Sequence, residues 1–139
     1  MKVYLAAPIR APRLGVEVYE AMAAAIREAG HELLSEHPVG RGGDFQEDGL
    51  SEGAIFYRDV EWLNAAQLLV AEVSTPSTGV GWEIAYMLAR GRPVICVCQE
   101  AARRSLSAMV AGNPNPFQRL IFYRDAADLR ARLVKELTL

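Results

Sequence analysis

Short apolar runs alternate along the chain with longer stretches of helical period, the pattern of a parallel sheet joined by crossover helices. Val3 to Ala6 predicts the first strand. From Leu14 to Ala29, the residues Val18, Met22, Ala25, Ile26 and Ala29 recur at helical spacing, and Gly30 stands where a C′ glycine ends a helix. His31 to Ser35 predicts a second strand. Glu36 to Leu50 is polar and holds Gly40, Gly42, Gly43 and Gly49, which predicts a mobile loop able to close over a ligand. Ser51 opens a helix to about Ala66, with Ile55, Phe56, Val60 and Leu63 on one side. Gln67 to Val73 predicts a third strand, Val80 to Arg90 a helix stopped by Gly91, and Pro93 to Val97 a fourth strand. A short helix over Ser105 to Ala111, a strand over Arg119 to Tyr123 and an amphipathic helix over Ala126 to Leu137 complete the series.

Five strands in this alternation predict an α/β fold: a flavodoxin-like doubly wound parallel sheet in the order 2-1-3-4-5, with helices on both faces. In that order the segments after strands one and three face each other, and ligands bind beyond the carboxyl ends of the strands at this switch point. Chemistry is therefore expected in Ala7 to Arg13 and in Ser74 to Gly81.

Composition narrows the class. A length of 139 residues predicts one domain over 1–139, and 51% apolar with 23% charged residues is ordinary globular usage. Fifteen Lys and Arg against seventeen Asp and Glu give a net charge of -2, without the basic excess that gripping a nucleic-acid polymer needs. Cys96 and Cys98, one residue apart in a strand, are expected as buried reduced thiols on one face. With His31 and His37 the only histidines, no zinc-ligand spacing can be assembled. Arg10 and Arg13 interrupt the apolar opening too early for a secretory signal, and no run reaches membrane-spanning length, so the cytoplasm is the expected compartment.

Two carboxylates break the apolar pattern. Asp59 lies four residues after Ile55 and four before Leu63, in the stripe expected to face the sheet, where it is either partnered or working. Glu83 repeats this beside Val80, Ile84 and Met87, in the predicted first turn of its helix, where it could equally complement the helix dipole. Ser77-Thr78-Gly79-Val80-Gly81 leads into that helix and can either cap it or hold a phosphate on free N–H groups. No Walker-type lysine and no G-x-G-x-x-G follow a strand, which excludes those two nucleotide motifs. Arg10 and Arg13 are placed to pair with a phosphate or to stay solvated, and His37 to touch a ligand or end a strand. Tyr4 needs a hydroxyl partner if buried, and Phe56, Trp62 and Trp82 are either core or a stacking surface for a base.

Arg58-Asp59-Val60-Glu61-Trp62-Leu63, Val70-Ala71-Glu72-Val73 and Pro76-Ser77-Thr78-Gly79-Val80-Gly81-Trp82-Glu83 together resemble the nucleoside 2-deoxyribosyltransferase superfamily. Val3-Tyr4-Leu5, Ile9-Arg10, Glu36-His37 and Leu106-Ser107-Ala108-Met109 extend the likeness over nearly the whole chain, most closely to the 2′-deoxynucleoside 5′-phosphate N-hydrolase branch. The resemblance implies Glu83 as nucleophile at the anomeric carbon, Asp59 as the group that protonates or orients the departing base, and Tyr4 as the residue positioning Glu83. It implies that Ala7, Pro8, Ile9, Arg10, His37, Ser77 and Gly79 meet the substrate, with the 5′-phosphate held by Arg10, Ser77 and Gly79. It further implies a homodimer in which Ser107 and Met109 reach the neighbouring site, and no metal or organic cofactor. The segment Ala7-Pro8-Ile9-Arg10-Ala11-Pro12-Arg13 departs from the Gly-Ser-Ile-Arg-Gly-Gly-Arg of close hydrolase relatives. Its Ala-Pro pair leans toward the Gly-Pro of deoxyribosyltransferases and of some ribonucleotide hydrolases of the superfamily, so base exchange stands beside hydrolysis, with a non-catalytic nucleotide sensor as a third reading.

Overall fold

The computed structural model describes residues 1–8, 15–35 and 49–138. Strand β1 (Lys2–Ala6) is followed by helix α1 (Val16–Glu28), strand β2 (Glu32–Leu33), helix α2 (Glu52–Ala65), strand β3 (Leu68–Glu72), helix α3 (Thr78–Ala89) and strand β4 (Val94–Gln99). A 3-10 turn at Glu100–Ser105, helix α4 (Ala108–Ala111), strand β5 (Gln118–Tyr123) and helix α5 (Ala126–Leu137) follow. These strands form one all-parallel sheet in the order β2-β1-β3-β4-β5, as the alternation predicts.

Side chains alternate across a strand, so parity sorts the core into two layers. Val3, Leu5, Val70, Ile95 and Val97 pack with Met22 and Ile26 of α1 and with Leu129 and Leu133 of α5. Tyr4, Ala6, Leu69, Ala71, Cys96 and Cys98 pack with Leu63 of α2 and with Ile84 and Met87 of α3. Each such fully buried large apolar side chain contributes about 1.5–3 kcal/mol. The pairing Tyr4 with Leu69 and Ala6 with Ala71 holds β1 in the register that turns Tyr4 toward α2 and α3. Both cysteines are buried and free, on the shared face that their spacing predicts.

Helix ends follow local chemistry. Ser51 and Ser77 cap α2 and α3 by accepting from the N–H groups of Ala54 and Val80 at 3.1 and 3.3 Å. Gly30 and Gly91, at φ of 85° and 68°, take the left-handed conformation just past α1 and α3, which glycine adopts without a Cβ clash.

Four expectations need correction. The second strand spans two residues instead of five, because Leu34 donates to the Val3 carbonyl but the next ladder position is filled by the Ser35 hydroxyl, which bonds both Leu5 N–H and Leu5 C=O. The fourth strand runs on to Gln99, paired with Tyr123 at the end of β5. The helix expected over Ser105 to Ala111 is instead a 3-10 turn followed by four helical residues, with Ser107 as the cap accepting from Met109 N–H. On α2, Leu63 is buried, Ile55 and Val60 are half-buried, and Phe56 is 49% exposed, so the expected inward stripe meets the sheet only at its C-terminal end. Leu14 and 36–48 of the expected loop lie outside the described residues.

Candidate active site

The carboxyl edge of the sheet sets the site. Tyr4 is 1% exposed on β1, and its hydroxyl donates to Oε2 of Glu83 on α3. Burial, then the charge of Glu83 and the bond to it, push the phenol far above its ordinary range, so it stays protonated and always a donor. Because α3 begins at Thr78, Glu83 stands in its second turn. The first-turn placement expected from sequence, with its dipole explanation, is thereby corrected. Asp59 and Glu83 line one cleft of about 380 Å³ together with Glu52, Phe56, Gly79 and Trp82. The two inward carboxylates thus converge on a single concavity from α2 and α3.

Asp59 is not left bare. Nε and Nη2 of Arg58 both donate to its Oδ1 at 3.0 Å, with both side chains about four-fifths buried. The Arg58 guanidinium also lies 4.8 Å from the centre of the Trp62 ring, a cation–π contact that fixes its plane. Arg58 is a residue that the pattern did not single out, because adjacent helical residues diverge by about 100° and seldom face each other. Phe56 and Trp82 are not core. They are 49% and 45% exposed at the cleft and meet edge-to-face at 5.6 Å, while Trp82 stacks on Tyr86 at 5.0 Å. Trp62 is half-buried against the α2/α3 core layer.

Helix α3 serves two concavities. Gly79, Trp82 and Glu83 face the carboxylate cleft, whereas Ser77, Gly81, Ile84 and Leu88 face a groove of about 580 Å³ whose far wall includes Ser107 and Met109. Ser77 and Ser107 therefore meet one groove within a single chain, and Met109 is 80% exposed. Ala7 and Pro8 are buried directly after β1. Ile9, Arg10, Arg13 and His37 lie outside the described residues. Among the described residues no group of three His, Cys, Asp or Glu side chains is placed to hold a metal ion, and no helix is long and apolar enough to cross a membrane.

Known proteins resemble the chain in sequence and in fold. A protein of Thermofilum pendens, whose name assigns it to the 2′-deoxynucleoside 5′-phosphate N-hydrolases, is 41% identical over 133 residues, covering 96% of this chain and 92% of its own. The 5-hydroxymethyl-dUMP N-hydrolase of Danio rerio is 32% identical over 112 residues, covering 81% of this chain and 78% of its own. The structure of a Clostridium botulinum CMP N-glycosidase superposes with a TM-score of 0.72 at 19% identity, over the full length of both chains, and shares the fold. The family model described as nucleoside 2-deoxyribosyltransferase matches residues 3–134. With Tyr4, Asp59 and Glu83 gathered at the switch point inside that span, the chain belongs to the nucleoside 2-deoxyribosyltransferase family.

Proposed function

We propose that this chain hydrolyses the N-glycosidic bond of a 2′-deoxynucleoside 5′-monophosphate, giving free base and 2-deoxyribose 5-phosphate. The observation that carries the reading is the pairing of Tyr4 with Glu83 in a cleft shared with Asp59. Glu83 attacks C1′ as the C1′–N bond breaks, forming a glutamyl–sugar ester while the base nitrogen takes a proton. Asp59 delivers that proton, or orients the base while a water molecule supplies it and leaves as hydroxide; with Oδ1 engaged by Arg58, its Oδ2 is the oxygen that meets the leaving group. Water then attacks C1′, its proton returns to the group that supplied the first one, Asp59 or the hydroxide, and Glu83 leaves as carboxylate. General acid assistance of this kind contributes roughly 10²–10⁴-fold.

Ser77 and Gly79 at the start of α3, with Arg10, hold the 5′-phosphate, and Ala7, Pro8, Ile9 and His37 border the sugar and base. Phe56 and Trp82 offer the base an exposed aromatic wall. The whole chain acts as one cytoplasmic domain without metal or cofactor. It pairs as a homodimer, in which Ser107 and the exposed Met109 enter the partner's site. A screen for free base across deoxy- and ribonucleoside monophosphates, run beside Glu83→Ala, tests the mechanism. Base release from a deoxynucleotide that vanishes in the variant supports it, and release that survives the substitution overturns it. Base exchange is the second reading, favoured by Ala7-Pro8; a new nucleotide formed on adding a different free base would replace hydrolysis with transfer.

A further inference from the structure

Glu72, at the end of β3, is the one charged residue in the fully buried class among the described residues, with 0% exposure. Strand parity turns it away from Tyr4 and toward the α1/α5 layer, so it has no place in the Asp59–Glu83 cleft. Burial pushes its carboxyl above the usual range, against the pull of the bonds it receives. Those bonds come from the next turn of chain and from the end of β5. The Ser74 N–H donates to Oε1 at 2.5 Å, the Ser74 hydroxyl to Oε2 at 3.0 Å, and the Tyr123 hydroxyl to Oε2 at 2.5 Å. The Ser74 oxygen in turn accepts from the Gln99 N–H at 2.7 Å.

One carboxyl therefore ties the segment leaving β3 to the ends of β4 and β5. That segment has no helix or strand of its own before Ser77 caps α3, and Ser77 follows Ser74 by three residues. Val73 still donates to the Val97 carbonyl at 2.9 Å, and from Ser74 onward the path is held by these side-chain bonds. We propose that Glu72 is a positioning residue: through Ser74 it fixes the β3–α3 connection so that Ser77 and the first N–H groups of α3 stand ready for the substrate's 5′-phosphate. This role rests on the hydrolase reading above, and it concerns the phosphate grip, not the bond-breaking step.

The test compares wild type with Ser74→Ala, Glu72→Ala and Glu72→Gln. Steady-state kinetics on a 2′-deoxynucleoside 5′-monophosphate are combined with calorimetric binding of 2-deoxyribose 5-phosphate and with circular dichroism. Loosening the connection raises KM and the sugar-phosphate Kd about tenfold, the scale of one lost charge-assisted hydrogen bond, while kcat stays within threefold. Glu72→Gln retains the size and can bond all three partners with the donor sense reversed at one oxygen, so it recovers at least half of the loss. A merely structural role lowers the active fraction, which reduces apparent kcat and leaves KM and Kd unchanged; that outcome overturns the proposal. Should Glu72→Ala fail to fold, Ser74→Ala, half-buried outside the strand, carries the comparison. A wild type that releases no base from any nucleotide sinks the hydrolase reading, yet the sugar-phosphate Kd still reads the positioning role. Intact base release with wild-type Kd in Ser74→Ala sinks the positioning role alone.

Discussion

Replacing Tyr4 by Phe removes one oxygen from a side chain that is 1% exposed and otherwise packed against Leu63, Leu69 and Met87. The ring keeps its space, so no cavity opens. What is lost is the hydroxyl donated to Glu83 Oε2, a bond that persists at every accessible pH because burial and the adjacent carboxylate hold the phenol protonated. A hydrogen bond to a charged group contributes about 1.5–3 kcal/mol. If the bond holds Glu83 at the attacking angle, that energy appears as a loss of roughly ten- to 150-fold in kcat/KM. Glu83 is only half-buried and can take water in exchange, so the melting free energy should shift by less than about 1 kcal/mol. The assay is base release followed by chromatography from pH 4 to 9, beside thermal melts of both proteins. A Tyr4→Phe protein that keeps its kcat/KM within threefold, or loses activity in step with its folded fraction, would refute the reasoning.

Arg58→Met should keep the stem over Trp62 but leave Asp59 without its guanidinium, lowering kcat/KM by about ten- to 100-fold; an unchanged rate would show that Asp59 needs no orientation. Mixing Glu83→Ala with Ser107→Ala subunits should restore activity above the sum of the parts, since one site of the mixed dimer is then intact, whereas a monomer shows no such gain. Glu72 is an acid whose folded value lies above its ordinary 4.5, so its contribution to stability is fully present below that pH and is lost as pH rises through the folded value. Wild-type melting temperature, plotted against that of Glu72→Gln, should fall as pH climbs from about 4.5; a flat difference would contradict it. Asp128 acts with the opposite sign. The Arg124 backbone N–H holds its carboxyl low, so its contribution is present above 3.8 and disappears in more acid solution, and Asp128→Asn should flatten that acid limb.

Much of the architecture was legible in the chain because its strands carry strong local signals. Val3 to Ala6, Gln67 to Val73 and Arg119 to Tyr123 lie between turn residues and helical repeats, and each strand appears within a residue or two of its expected place. The short β2 was not legible, since a serine hydroxyl standing in for ladder groups leaves no periodic trace. Asp59 and Glu83 showed themselves as charges in apolar stripes, a signal that burial energetics makes dependable. Arg58 did not, because its approach to Asp59 depends on a side-chain rotamer and a stacking partner rather than on spacing. Glu72 carried a usable sign, a carboxylate closing an entirely apolar strand, but its partner Tyr123 stands 51 residues away and only the folded sheet brings them together. The exposure of Phe56 also escaped the pattern, because helical period locates a face without saying how much of it the sheet covers.

The two sulfurs of β4 carry a practical consequence. Cys96 is wholly enclosed between the sheet and the α2/α3 layer, and its thiol is pushed up to about 12 by that burial; Cys98, on the same face, also has no exposed surface, and burial raises its thiol too. Alkylating reagents need both access and a thiolate, and the native molecule offers neither at neutral pH. Labelling must wait for that face of the sheet to be uncovered, so mass spectrometry of a timed alkylation would count those openings directly. The protein thus contains its own unfolding clock, readable without altering a single residue.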